Sequence, residues 1–195
     1  DLRAPITNYA DAIHGLDILY ISNNSIVGLY FNTIYLNASS SALNFGSTGI
    51  HHTYSATVTT ATLDMRNNII VNNSTPNGTG RTVALRRSES TSLANYGSAS
   101  NNNNFYAGVP SASNLIFYDG VNSIQTIEEF QTFVSPREMQ SFSENSAFLN
   151  VSSPPYDLHI NTGVATQIES GGIPIIDPIS ITDDFDGDFR NASNP

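Results

Sequence analysis

The chain has 195 residues with no cysteine and no lysine, and seven arginines against seventeen acidic residues give it a net charge of −10. At this length one core can bury roughly 70% of the unfolded chain's surface, so disulfide or thiolate-metal staples are neither needed nor available. The acidic balance argues against nucleic acid and anionic lipid as partners, and no apolar run approaches the roughly 20 residues that membrane insertion by a helix requires.

Charged residues are 12% of the chain, about half the usual share. Asparagine alone occurs 23 times. A polar but weakly charged surface suits an extracellular β-rich protein, and a secreted or cell-surface location is expected.

Residues 1–15, with Tyr9, Ala10 and Ile13 among polar neighbours, read as a lead-in, either the start of a strand or a short irregular stretch. From Leu16 short β-branched and aromatic runs alternate with Asn, Ser and Gly, as in Ile26-Val27-Gly28-Leu29-Tyr30 and Thr33-Ile34-Tyr35-Leu36. That is a strand-and-turn pattern. The run Arg66 to Asn73, an apolar core bracketed by paired asparagines, is its clearest instance.

An asparagine two residues before an apolar position recurs at Asn24, Asn32, Asn68 and Asn103. The steps from Asn32 to Asn68 and on to Asn103 fall in the range of repeat solenoids. Asparagine tolerates the left-handed backbone region and can hydrogen-bond along a stack, so these four are read as corner and ladder residues. Residues 16–120 are then stacked coils. Ser55 to Leu63 is expected to be strand, while the rest of Ala38 to Thr60, Ser74 to Arg81 and Ser88 to Ser100 is expected to project as loops.

Residues 121–195 read as a closing segment. Apolar residues at 124, 127, 130, 133 and 134 have helical spacing, which predicts one short amphipathic helix over 124–134 with Ser123 as N-cap and Pro136 beyond its end. Short strands around Phe148 and Leu158 and an irregular acidic tail follow.

The order Ile127-Glu-Glu-Phe130, Glu144 to Phe148, Tyr156-Asp-Leu-His-Ile160 and Asp183 to Arg190 resembles the closing segment of right-handed parallel β-helix proteins. Among these it is most like the large secreted or cell-surface proteins of Bacteroidota and related bacteria. The resemblance runs from about Leu16 to Arg190. It implies an all-β solenoid, a single domain over 1–195 or a fragment of a larger one, with open ends that neighbouring domains or other chains would cover. It also implies a packing role for His159.

The candidate sites are few. No cofactor is the favoured expectation; Asp183, Asp184, Asp186 and Asp188 offer hard oxygen ligands for calcium, the one cofactor the sequence raises. The alternative is a turn whose carboxylates cap backbone N–H groups and pair with Arg190. Arg86 and Arg87 form the only adjacent cationic pair and are the candidate catalytic groups of a polysaccharide lyase or hydrolase. The acidic cluster such an enzyme also needs could come from Asp64 on a neighbouring coil; the favoured reading is that Arg86 or Arg87 pairs with Glu89 or with an adjacent coil. Of His14, His51, His52 and His159, the adjacent pair points to opposite faces of a strand and cannot chelate one ion together. The favoured function is a non-catalytic surface module for adhesion, polysaccharide contact or assembly with other chains; the alternative is a polysaccharide-degrading enzyme.

Overall fold

A computed structural model describes residues 9–19, 23–88, 91–193 and 195. The first coil consists of β1 (Tyr9–Ile18), β2 (Ile26–Tyr30) and β3 (Thr33–Leu36). The second consists of β4 (Phe45–His52), β5 (Thr62–Arg66) and β6 (Ile69–Asn72), and the third of β7 (Thr82–Arg87) and β8 (Asn104–Tyr106). A further strand, β9 (Asn114–Tyr118), opens another coil and is closed by the antiparallel β10 (Ser123–Ile124).

Equivalent strands stack in parallel as β1-β4-β7-β9, β2-β5 and β3-β6-β8. On the third coil the second sheet shrinks to two bridges, Leu63 with Tyr96 and Arg66 with Asn101. The chain is thus a β-solenoid of about three turns.

The paired asparagines make the corner between the second and third sheets. Only two residues separate β2 from β3 and β5 from β6. The first is left-handed at Phe31, Asn67 and Asn102, with φ of 55°, 59° and 58°. The second, at Asn32, Asn68 and Asn103, carries the ladder. Asn32 donates from its backbone N–H and its Nδ2 to Asn68 Oδ1, both at 3.0 Å. Asn68 does the same to Asn103 Oδ1 at 2.9 Å. Asn103 Nδ2 then donates to Glu138 Oε2 at 2.9 Å, so a buried carboxyl takes the fourth rung. The separations along this ladder are 36, 35 and 35 residues. Asn24 is left-handed too, at φ 59°, but exposed and outside the ladder.

The first residue of each corner faces outward and fastens the C-terminal tail. Asn102 Nδ2 donates to Gly171 O, Asn67 exchanges bonds with the backbone of Ile173, and the Arg190 guanidinium lies 3.8 Å over the Phe31 ring. The tail therefore runs back along one edge of the stack from the third coil to the first. At each corner the second residue, Asn32, Asn68 or Asn103, holds the coils together, and the first, Phe31, Asn67 or Asn102, holds the tail.

Inside, Ile50, Leu63, Met65, Ile70, Leu85, Phe105 and Phe117 are almost fully buried. The helix α1 (Ile127–Val134) plugs the end of this core, with Phe130 stacked on Phe117 at 5.3 Å and edge-on to Phe105 at 5.5 Å. It begins at residue 127 rather than 124. Thr126 and Glu129 form a reciprocal capping box there, while Ser123 and Ile124 pair as a strand with Tyr118 and Phe117.

Two other expectations fail. Ser55 to Ala61 is turn, and strand begins at Thr62. Conversely, Phe45–His52 is a strand inside a stretch read as a loop. Its Gly-Ser-Thr-Gly composition lacks β propensity, but close packing demands it: a Cβ on Gly49 would lie 2.6 Å from the Ala84 carbonyl oxygen of the next rung. Finally, β11 (Phe148–Asn150) and β12 (Asp157–Ile160) form an antiparallel pair beside the third sheet, with Phe148 edge-on to Tyr35 at 5.6 Å.

Candidate functional site

Two surface features gather chemistry-bearing side chains. The first is an open cleft of about 810 Å³ between the first coil and the β11-β12 pair. Phe31, Asn32 and Thr33 form one wall, Tyr156, Asp157 and His159 another, and Phe185 of the acidic turn overhangs it. Phe185 is 96% exposed and Tyr156 64%.

His159 stands between two carboxylates, with Nδ1 2.5 Å from Asp157 Oδ1 and Nε2 2.8 Å from Asp186 Oδ2. The hydrogen bonds its ring donates to Asp157 and then to Asp186 raise its pKa, and the backbone and ring bonds from His159 lower that of Asp157. His159 is exposed rather than packed and ties the acidic turn to β12, contrary to the packing role implied by resemblance.

The turn itself is held by its own acids. Asp184 Oδ1 accepts the backbone N–H groups of Asp186 and Asp188, each at 3.0 Å, and Arg190 Nε donates to the Asp183 carbonyl. Gly187, at φ 85°, makes the left-handed step. The carboxylates of Asp183, Asp184, Asp186 and Asp188 do not converge as a ligand set. Among the described residues the only group of three or more His, Asp or Glu side chains placed to share an ion is His14, Asp17 and His51.

That group is the second feature, on the outer face of the first sheet. Along β1, β4, β7 and β9, Asp17, His51, Arg86 and Tyr118 are in register, one above another. His14 is brought onto the same face because strand alternation breaks just after it. A Cβ on Gly15 would meet Ile34 and Leu16 packs against the core, so two successive residues face inward. The same break recurs at Ala84-Leu85 and Ile116-Phe117, where both members of each pair are core residues.

His51 Nδ1 lies 2.6 Å from Asp17 Oδ1 and His14 Nδ1 3.2 Å from Asp17 Oδ2, with ring centroids 4.9 Å apart. His14 Nε2 is 2.9 Å from Asp11 Oδ2, which also takes Arg86 at 2.8 Å, while Thr48 Oγ1 donates to Asp11 Oδ1 at 2.7 Å. The Asp11 bond raises the His14 pKa against the opposing effect of burial. Burial pushes Asp11 and Asp17 up, but their histidine bonds, with Thr48 and Arg86 at Asp11, outweigh it and leave both below the usual carboxylate value.

Arg86 and Arg87 do not act as a pair. Arg86 is on this outer face with Asp11 and over the Tyr118 ring at 5.0 Å. Arg87 is 1% exposed and donates to Ser92 O and Asn95 Oδ1 inside the solenoid, where burial lowers its pKa to about 10. Glu89 lies outside the described residues. Asp64 belongs to the second sheet, bonded to Arg66 and Tyr30.

Beside Arg87 sits His52, fully buried, with Nε2 2.8 Å from Ala61 O and Nδ1 without a partner. Burial first, and then the Arg87 charge, lower its pKa to about 4.

The His14-Asp17-His51 group escapes a reading built on the asparagine steps of 35 and 36 residues. Asp17 pairs with His51 at a step of 34, and a shift of one residue reverses the face of every side chain. The usable signal is the small-large or apolar doublet that repeats at 15–16, 49–50, 84–85 and 116–117.

Compared with protein-family models, curated proteins and solved structures, the chain matches none.

Proposed function

We propose that this chain is a non-catalytic module of a secreted or cell-surface protein and that it contacts polysaccharide through the cleft beside the first coil. One observation carries the reading: two strongly exposed aromatic rings, Tyr156 and Phe185, line a cleft that also presents Asn32, Thr33, Asp157 and His159. Exposed rings offer apolar faces for sugar C–H groups, and the carboxylate, amide and imidazole groups match hydroxyls. The weak charge of the chain, and the likeness of its closing segment to large surface proteins of Bacteroidota, support an extracellular setting. The outer edges of β1, β2 and β3 have no strand neighbour among the described residues, which suits assembly with another chain at that end.

Affinity electrophoresis against a panel of neutral and acidic polysaccharides tests the proposal. At least one polymer is expected to retard the protein, and Tyr156→Ala and Phe185→Ala are each expected to weaken the effect about tenfold. Phe189→Ala serves as control, because Phe189 is 89% exposed but does not line the cleft. No retardation by any polymer, or equal loss in all three variants, overturns the reading. Reading the same mixtures for new reducing ends and unsaturated products separates binding from degradation.

A further inference from the structure

We propose that His14, Asp17 and His51 form a binding site for a divalent transition-metal ion, with zinc as the expected occupant. The site shares no residue with the cleft, and the proposal does not depend on carbohydrate contact.

A ligand atom from each residue lies within 4.8 Å of the other two, and Nδ1 of both rings faces the Asp17 carboxylate. Zinc binds imidazole nitrogen and carboxylate oxygen at about 2.0–2.2 Å, with tetrahedral donors about 3.3 Å apart. The 3.2 Å separation from Asp17 to His14 is close to that value, and the 2.6 Å separation to His51 is a hydrogen-bond distance that must lengthen to reach it. Side-chain adjustment is sufficient, and the rigid ladder of β1 on β4 fixes the two histidines on adjacent rungs.

The surroundings fit a metal site as well. Asp11 accepts from His14 Nε2, which leaves Nδ1 as the ligating nitrogen, and Asp11 is itself fixed by Thr48 and Arg86. Histidine ligands are commonly oriented by such a carboxylate. With neutral imidazoles, Asp11, Asp17 and Arg86 leave a net charge of −1 for the cation. Two nitrogens and one oxygen select zinc, nickel or copper over calcium and magnesium. The Asp17 side chain is 39% exposed, so the fourth position opens to solvent. On binding, both rings ligate through an unprotonated Nδ1 and keep one proton at Nε2; any proton that Nδ1 held toward Asp17 moves to Nε2 or, from an imidazolium, to solvent, and the ion takes its place.

The test is titration calorimetry of the tag-free chain with zinc chloride. One equivalent is expected to bind, and binding is expected to be insensitive to excess calcium. His51→Gln and Asp17→Asn should each weaken zinc at least tenfold, and Asp11→Asn about tenfold through His14. His159→Gln should change nothing. The cobalt-loaded protein should show visible d–d bands that disappear in the His14→Gln, His51→Gln double variant. Circular dichroism verifies the fold of each variant, and the outer-face location of His51 makes His51→Gln the least disruptive. No saturable zinc binding, full affinity in the double variant, or loss of binding in His159→Gln overturns the proposal.

Discussion

Replacing Asn68 by alanine is expected to lower the unfolding free energy by about 2–4 kcal/mol, because several hydrogen-bonding groups lose a partner where water does not replace it. Asn68 is 1% exposed. Its Oδ1 accepts two bonds from Asn32, and its Nδ2 donates to Leu29 O at 2.8 Å, to Asn103 Oδ1 at 2.9 Å and to Arg66 O at 3.2 Å. The ladder also predicts a gradient. Asn32 is exposed at the first coil, so Asn32→Ala should cost under about 1 kcal/mol, since water can take its place. Asn103 is 0% exposed and donates to both Met65 O and Glu138, so Asn103→Ala should cost at least as much as Asn68→Ala. Asn68→Asp should be worse than alanine, because it sets an acceptor, and a charge when ionised, against Leu29 O and Asn103 Oδ1. Urea midpoints with unchanged slopes measure the series. Equal costs at the three rungs would mean that the ladder is not the cause.

The sequence makes this corner legible and the first sheet obscure, for the same physical reason. At the corner one residue type must do one thing on every coil: accept from the rung before and donate to the rung after. Asparagine at a nearly constant step is what that requires. The first sheet has no such constraint. Its paired positions step by differing amounts, as Ile50 to Leu85 and Leu85 to Phe117 show, and its strands tolerate Gly, Ser and Thr where packing is tight. The strand Phe45–His52 and the meeting of His14 with His51 were therefore hidden. The helix was legible from its apolar spacing, but its start was decided by Thr126 and Glu129, a capping pair stronger than the single Ser123. The end of the ladder at Glu138 has no local signal at all. A carboxyl replaces an amide only because the chain, left-handed there at φ 57°, turns it into the core.

That carboxyl and His52 act on the response of stability to pH in opposite directions. Glu138 is fully buried; burial raises its pKa from 4.5 to about 7, against the bonds from Ser141, Tyr96 and Asn103. Between pH 4.5 and 7 the folded chain keeps a proton that the unfolded chain has released. Stability from this group therefore falls as pH rises, by about 3 kcal/mol over the window. His52 behaves in reverse. Its folded pKa of about 4 lies below the ordinary 6.5, so between those values the unfolded chain binds the extra proton. Stability from His52 then rises with pH, again by about 3 kcal/mol. From pH 4.5 to 6.5 the two slopes have opposite signs, so each masks the other. Single substitutions unmask them. Glu138→Gln, which can still accept from Asn103 and Ser141, should leave a protein whose urea midpoint climbs from pH 4.5 to 6.5. His52→Gln should leave one whose midpoint drops from pH 4.5 to 7. Every other titrating group is common to the three proteins, so the differences in slope belong to these two side chains. If both variants retain the wild-type profile, neither group carries the perturbed proton affinity that its burial implies.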